Sequence, residues 1–185
     1  MKITDIQVNQ LKPPEGRAGG RLLVRVFTDE GIVGHSEGSR GLGVFRAYLE
    51  EMITPLLVGV SPLQPRQIWE KLALGTGERA TRLPSQIVGA IDVACWDATG
   101  KVLGMRVCDL LGGAVRERVP SYHGILIASA ADCAEDAERR QAEGFPRLQI
   151  KVGGRPVEDD IEAIRAVSGT LRPGVPLAAD ANKRW

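Results

Sequence analysis

Arg147-Leu148-Gln149-Ile150-Lys151-Val152-Gly153-Gly154 is the stretch on which the reading of this chain turns. Alternation places Leu148, Ile150 and Val152 on one face of a strand and Gln149 and Lys151 on the other. Two glycines end it, and Glu158 to Leu171 follows as a helix whose apolar stripe is Ile161, Ile164, Val167 and Leu171. Leu177 to Asp180 then reads as another short strand. Upstream the same grammar holds: Val119 to Ile125 reads as strand and Ser129 to Glu143 as helix, with Ser129 and Asp132 spaced as a capping box. Strand and helix in alternation imply a parallel sheet built from βαβ units. On pattern alone a (β/α) barrel and an open doubly wound sheet both remain possible.

Before residue 115 the pattern is different. Ile3 to Leu11, Arg21 to Thr28 and Ile32 to Glu37 alternate as three strands, the last two joined by the turn Asp29-Glu30-Gly31. They read as a small antiparallel sheet that includes His35. Lys12 to Gly20, with paired prolines and three glycines, suits a loop. Helical spacing runs from Val44 to Leu103. It is clearest over Leu83 to Leu103, where Ile87, Ile91, Ala94, Cys95, Ala98 and Val102 recur every three or four residues. Gly89 and Ala90 in that helix are small enough to let a neighbour approach closely. Leu110-Leu111-Gly112-Gly113 is a natural stop. The chain is therefore expected to divide into an α+β domain over residues 1-115 and the strand-helix region over 116-185.

Composition narrows the function. Of 185 residues, 43% are hydrophobic and 25% charged, which is ordinary globular material. Lys and Arg number 24 against 23 Asp and Glu, and no long run of one sign could grip nucleic acid or an anionic membrane. Cys95, Cys108 and Cys133 are odd in number and widely spaced, which fits reduced thiols and a cytoplasmic protein. No export signal and no apolar run of the roughly 20 residues that span a bilayer are read from the sequence.

Two positions stand out chemically. A parallel sheet normally has both faces covered, so the polar face of Gln149 and Lys151 needs a reason. Either this is an edge strand wetting its polar side, or the two side chains point into a barrel mouth. A lysine there costs free energy unless it is paired or functional. Asp180 ends the next strand. Such an Asp can cap a helix or close an Asx turn, or it can give a hard oxygen to Mg²⁺. If the sheet is a barrel, Lys151 and Asp180 end adjacent strands and face one pocket. Tyr122 and His123 sit on the first strand of this region, where one of them, Tyr122 in particular, could line the pocket as a substrate contact; the plainer readings are a packed tyrosine and a surface histidine, and Glu37 reads as a structural hydrogen-bond acceptor. No GxGxxG, P-loop, serine elbow or HExxH pattern occurs, so Gly153-Gly154 has little support as a phosphate cradle.

Together these residues resemble the mandelate racemase and muconate-lactonizing family of the enolase superfamily. Ala90-Ile91-Asp92-Val93-Ala94-Cys95-Trp96-Asp97, then Gly100-Lys101 and Asp109 to Gly113, looks like the family's signature helix and its end. Asp180-Ala181-Asn182 with Trp185 resembles the motif that bears the first magnesium ligand, with Asn182 beside the site. The resemblance implies an N-terminal α+β capping domain of three antiparallel strands plus helices, followed by the start of a (β/α)7β TIM-like barrel. It also implies that Lys12 to Gly20 and Ser39 to Val44 close over substrate. Lys151 would be the acid/base, Asp180 a metal ligand and Gln149 a substrate contact.

The family's strand motif is commonly Lys-x-Lys, whereas this chain has Gln149-Ile150-Lys151. Gly144 to Val157 looks like the branch that holds proline-betaine and hydroxyproline-betaine epimerases and hydroxyproline dehydratases. An amide in place of the first lysine removes a repulsive charge near a cationic nitrogen. The implied chemistry is abstraction of the proton α to a carboxylate, with Mg²⁺ stabilising the enediolate. Racemisation, epimerisation or dehydration of a small carboxylic acid would follow. The other metal ligands and the opposing acid/base are expected beyond residue 185, and the complete protein is expected to be a homo-oligomer without nucleic-acid or membrane partners. A reading of another class is a truncated, non-catalytic assembly module.

Overall fold

The computed structural model describes residues 1–12, 20–38, 41–74 and 83–184. The chain divides into two compact units, Met1–Ala114 and Val115–Trp185. The segments expected to close over substrate fall partly outside the described residues, at 13–19 and 39–40, as does Trp185.

In the first unit β1 (Ile3–Gln10), β2 (Leu22–Thr28) and β3 (Val33–Gly38) form an antiparallel sheet in that order, with Val8 opposite Val24 and Val24 opposite Ser36. Alternation decides which face is covered: Ile6, Val8, Leu22, Val24 and Val26 are buried. The helices follow as α1 (Leu42–Tyr48), a π-helical stretch Leu49–Ile53, α2 (Thr54–Leu57), α3 (Pro65–Leu74), α4 (Ser85–Leu103) and α5 (Val107–Leu110). Phe45, Ile53, Leu57, Ile68 and Leu72 join the sheet residues and α4 in one core.

α4 is held against the sheet by contacts that account for much of the signature sequence. Asp97 Oδ2 accepts the His35 backbone N–H at 2.7 Å and the Lys101 ammonium at 2.6 Å, and Lys101 Nζ also donates to Val33 O at 2.8 Å. Asp97 and Lys101 thus occupy the outer edge of β3, which would otherwise present unpaired backbone groups. Ser36 Oγ donates to Ala90 O at 2.5 Å, and Thr99 Oγ1 donates to Pro62 O at 2.8 Å. The glycine that permits close approach is Gly34, not Gly89. A Cβ on Gly34 would stand 1.9 Å from Ala94 O, whereas Gly89 is exposed with nothing near it. Val102 is likewise exposed, and the buried face of α4 runs from Ile87 through Ala98 to Thr99 and Gly100.

In the second unit β4 (His123–Ile125), β5 (Leu148–Lys151) and β6 (Leu177–Asp180) are parallel neighbours in that order. α6 (Ala130–Ala142) and α7 (Val157–Thr170) supply Cys133, Ala137, Ala163 and Val167, which pack with Ile125, Leu148, Ile150 and Val152 in a second core. The fold is therefore an antiparallel α+β unit followed by consecutive parallel βαβ units, the arrangement expected where a barrel begins. Ser129 Oγ accepts the Asp132 N–H at 3.2 Å as the N-cap of α6, and the Asp132 carboxylate accepts the Ser129 hydroxyl at 2.6 Å. Gln141 is buried with its amide fully used: it donates to Ala137 O and Thr170 O and accepts Arg172 N–H at 2.8 Å.

Two further expectations are corrected. β4 does not begin at Val119, which is 81% exposed; the ladder with β5 starts at His123, opposite Leu148, and Pro120 has no N–H to give to an earlier one. Ile161 does not join the stripe of α7: it is exposed, and Asp160, Ala163 and Val167 take the buried face. Asp160 accepts two hydrogen bonds there, so its burial is compensated. No helix among the described residues is long and apolar enough to cross a membrane.

Candidate active site

Register decides which side chains meet. Lys151 lies opposite Asp180, and Gln149 lies between Gly124 and Ala178. Since Leu148 and Ile150 point to the helices, Gln149, Lys151, Ala178 and Asp180 share the other face of the sheet. Gly124 and Ala178 put little bulk on either side of the Gln149 amide, which leaves space over it. Lys151 and Asp180 are the last residues of β5 and β6, the end at which barrel enzymes assemble their sites.

Lys151 Nζ donates to Asp180 Oδ2, and both side chains are about a quarter exposed. The other oxygen, Oδ1, accepts the Asn182 N–H at 2.9 Å, and the Asn182 amide nitrogen lies 3.3 Å from Oδ2. Asp180 therefore closes an Asx turn with one oxygen and meets Lys151 with the other, so the local role weighed for this residue is realised in the fold. The Lys151 hydrogen bond and then the Asn182 N–H hold its carboxyl below the ordinary carboxylate range, against a smaller opposing effect of burial. Asn182 and Lys183 both have left-handed backbone, with φ of 47° and 65°. This pair turns the chain back so that Arg184 Nη1 reaches Gly153 O at 3.1 Å.

Tyr122 is not brought to this site. It precedes β4, is 57% exposed, and stands at the level of Arg147, four residues from Lys151 along the strands. At the rise of a strand that is about 13 Å, towards the opposite end of the sheet. His123 faces the helices: its Nε2 lies 3.0 Å from Asp136 Oδ2 and its ring packs on Phe145. Burial is the largest single influence on Asp136 and pushes its carboxyl up, but the hydrogen bonds from Arg139 and His123 together with the nearby charges of His123 and Arg140 hold it below the usual range. Glu37 accepts an ion-pair hydrogen bond from Arg21 on the exposed side of the first sheet.

Sequence reasoning missed a buried ion pair near Lys151. Asp160, 2% exposed, accepts Arg155 Nε at 2.6 Å and the Gly153 N–H at 2.7 Å, and Arg155 Nη1 donates to Ala128 O. Arg155 and then Gly153 hold the Asp160 carboxyl below its ordinary value. An Arg-x-x-x-x-Asp spacing across a helix start was the available signal. Asp180 is a hard oxygen donor of the type Mg²⁺ takes. Among the described residues no cluster of three or more acidic, His or Cys side chains could hold a metal, so Asp180 offers one ligand and not a set.

Residues 19–112 match the mandelate racemase / muconate lactonizing enzyme N-terminal domain, and residues 132–185 match the enolase C-terminal domain-like family. A cis-3-hydroxy-L-proline dehydratase of Roseibium aggregatum is 35% identical over 206 aligned positions, covering 100% of this chain and 54% of that protein. An N-succinyl-L-Arg/Lys racemase of Bacillus cereus is 30% identical, covering 89% of this chain and 45% of that protein. A solved mandelate racemase/muconate lactonizing enzyme from Roseovarius nubinhibens, complexed with magnesium, superposes with a TM-score of 0.82 at 29% identity, over 98% of this chain and 52% of that one. The chain spans about half the length of the relatives it matches.

Proposed function

The chain belongs to the mandelate racemase / muconate lactonizing enzyme family of the enolase superfamily, and from that premise we propose that its protein abstracts the proton α to a carboxylate, with Lys151 as the base and Asp180 as one ligand of a magnesium ion. The observation that carries the proposal is the meeting of Lys151 Nζ and Asp180 Oδ2 at the ends of adjacent parallel strands. Bound magnesium would supply the positive charge that stabilises the enediolate left when an α-proton is removed. Its other ligands, and the acid on the opposite face of the substrate, are proposed to lie beyond residue 185.

The residues of this chain divide the work. Lys151 takes the α-proton or returns it on one face of the substrate. To take a proton Nζ needs a free lone pair, which the ammonium paired with Asp180 lacks, so the resting ion pair must first give up a proton to solvent before Lys151 acts as the base. Asn182 keeps Asp180 oriented by holding Oδ1. Gln149 lines the wall beside Lys151 with a neutral amide. Were it a second ammonium, it would oppose a cationic nitrogen on the substrate by about 3 kcal/mol at ~6 Å and an effective dielectric constant of ~20. The preferred substrates are therefore small α-amino carboxylates whose nitrogen carries charge, amino-acid betaines among them, with racemisation or epimerisation as the outcome. Tyr122 lies too far along the strand to take part.

A second reading is elimination. The relative named as a cis-3-hydroxy-L-proline dehydratase aligns along the whole chain, and its substrate carries a leaving hydroxyl beside the α-carbon and a ring nitrogen. The first step is common to both readings. A screen of amino-acid betaines, hydroxyprolines and sugar acids with the full-length protein in D₂O tests it. Deuterium should enter at the α-carbon of a cationic substrate and be lost with Lys151→Ala; exchange at the parental rate in that variant removes Lys151 as the base. Retention or loss of the β-hydroxyl separates epimerisation from dehydration.

A further inference from the structure

The last hydrogen bond between the ends of β5 and β6 is Val152 N–H to Asp180 O at 3.1 Å, and beyond it the ladder stops. Lys151, the last residue of β5, is therefore followed by a single further ladder bond, and its ammonium stands at the end of a long side chain. Two groups grip Gly153, one on each of the peptides that flank its Cα. Asp160 takes the Gly153 N–H at 2.7 Å, and Arg184 donates to the Gly153 carbonyl at 3.1 Å. Asp160 is buried on α7 and locked by Arg155, which reaches back to Ala128 in the segment after β4. Arg184 arrives from the segment after β6, through the left-handed turn at Asn182 and Lys183. Its guanidinium lies across Gly154, where φ is +89° and a Cβ would stand 1.8 Å from Nη1. Only glycine leaves room for that path.

We infer that Arg184 and Asp160 are positioning residues for Lys151: they pin Gly153 through its N–H and its carbonyl, tie together the segments that follow three consecutive strands, and hold the ammonium of Lys151 at Asp180. The pin rests on the reading of Lys151 as a base only for its purpose. Its geometry stands apart, since it joins the loop that follows the base to the loop that follows the metal ligand. A shift of either loop would move both functional groups together.

The test reads Lys151 directly and needs no substrate. The full chain, in magnesium-free buffer at pH 8, is trace-labelled with acetic anhydride, and labelling of each lysine is quantified by peptide mass spectrometry. Lys101, paired with Asp97 in the other unit, serves as the internal reference. Arg184 is exposed, so Arg184→Ala is expected to fold where Asp160→Ala could fail to. Arg184→Ala should raise labelling of Lys151 relative to Lys101 by roughly 2- to 10-fold, the change that loss of one hydrogen bond of ordinary net strength allows. Arg184→Lys, which keeps a donor for the Gly153 carbonyl, should restore protection. Unchanged labelling of Lys151 in Arg184→Ala, or no recovery in Arg184→Lys, overturns the pin. Both outcomes are independent of the D₂O screen, whose failure would instead remove the proposed reaction and leave the pin standing.

Discussion

Lys151 and Asp180 are direct cross-strand partners, and the ammonium of one donates to the carboxylate of the other. The contact joins the two groups to which the proposed chemistry gives different tasks, one moving a proton and one binding a cation. Being partly exposed, it is a weak prop for the fold. Its value is in placement.

Asp180→Asn should lower magnesium affinity of the full-length protein by roughly 10-fold or more, as loss of an anionic oxygen from a hard-cation site implies, while thermal unfolding stays close to that of the parent. Calorimetric titration checks the first part and circular dichroism the second. Equal affinity in the two proteins would remove Asp180 from the ligand set.

Gly34→Ala should destabilise the first unit by about 3 kcal/mol, because the new methyl meets the Ala94 carbonyl of α4 and the helix must move. Gly89→Ala, on the open side of the same helix, should gain up to about 1 kcal/mol from helix propensity alone. Urea unfolding of the pair reads both signs. A neutral Gly34→Ala would mean that the helix–sheet contact is looser than described.

Stability should fall in acid. Asp97, Asp136, Asp160 and Asp180 have lowered pKa values in the fold, so their contributions are complete above the ordinary Asp value of about 3.9 and are lost as pH falls through the lower folded values. Asp92 has the opposite sign: burial raises its pKa, so its ionisation above about pH 3.9 opposes folding. Urea midpoints should therefore hold level from pH 8 to about 5 and drop below about 4. Asp92→Asn should raise the midpoint at pH 7 and leave it unchanged well below pH 3.9, the reference value for the unperturbed group being about that. No gain at pH 7 would contradict the burial penalty.

Cys95 should resist thiol reagents. Burial first, and then the charge of Asp92, push its thiol up to about 12, so at pH 8 it carries almost no thiolate. Cys108 is partly exposed and should react in the native protein, with Cys95 and Cys133 following only on unfolding. Counting thiols with Ellman's reagent before and after adding denaturant, and mapping them by mass spectrometry, decides this. Native-state labelling of Cys95 at the rate of Cys108 would contradict it.

The two grammars of the chain were legible from residue order alone, because the period of apolar residues is imposed locally by the backbone: Val24 and Val26 alternate as a strand must, and Ile87, Ile91, Ala94 and Ala98 recur as a helix must. That order also marked Lys151 and Asp180, since a polar residue at the end of a buried strand conflicts with its surroundings. Local pattern could not place Ile161 or the start of β4, because one turns on which side of α7 meets the sheet and the other on where β5 begins. The remainder depended on how the strands and helices met in space. Register set Gln149 between two small residues and sent Tyr122 to the far end of the sheet, and side-chain hydrogen bonds brought Ala128, Gly153, Asp160 and Arg184 into one network. Those four are separated by up to 56 positions (184 − 128) in the chain, and what joins them is hydrogen-bond geometry that no local periodicity encodes.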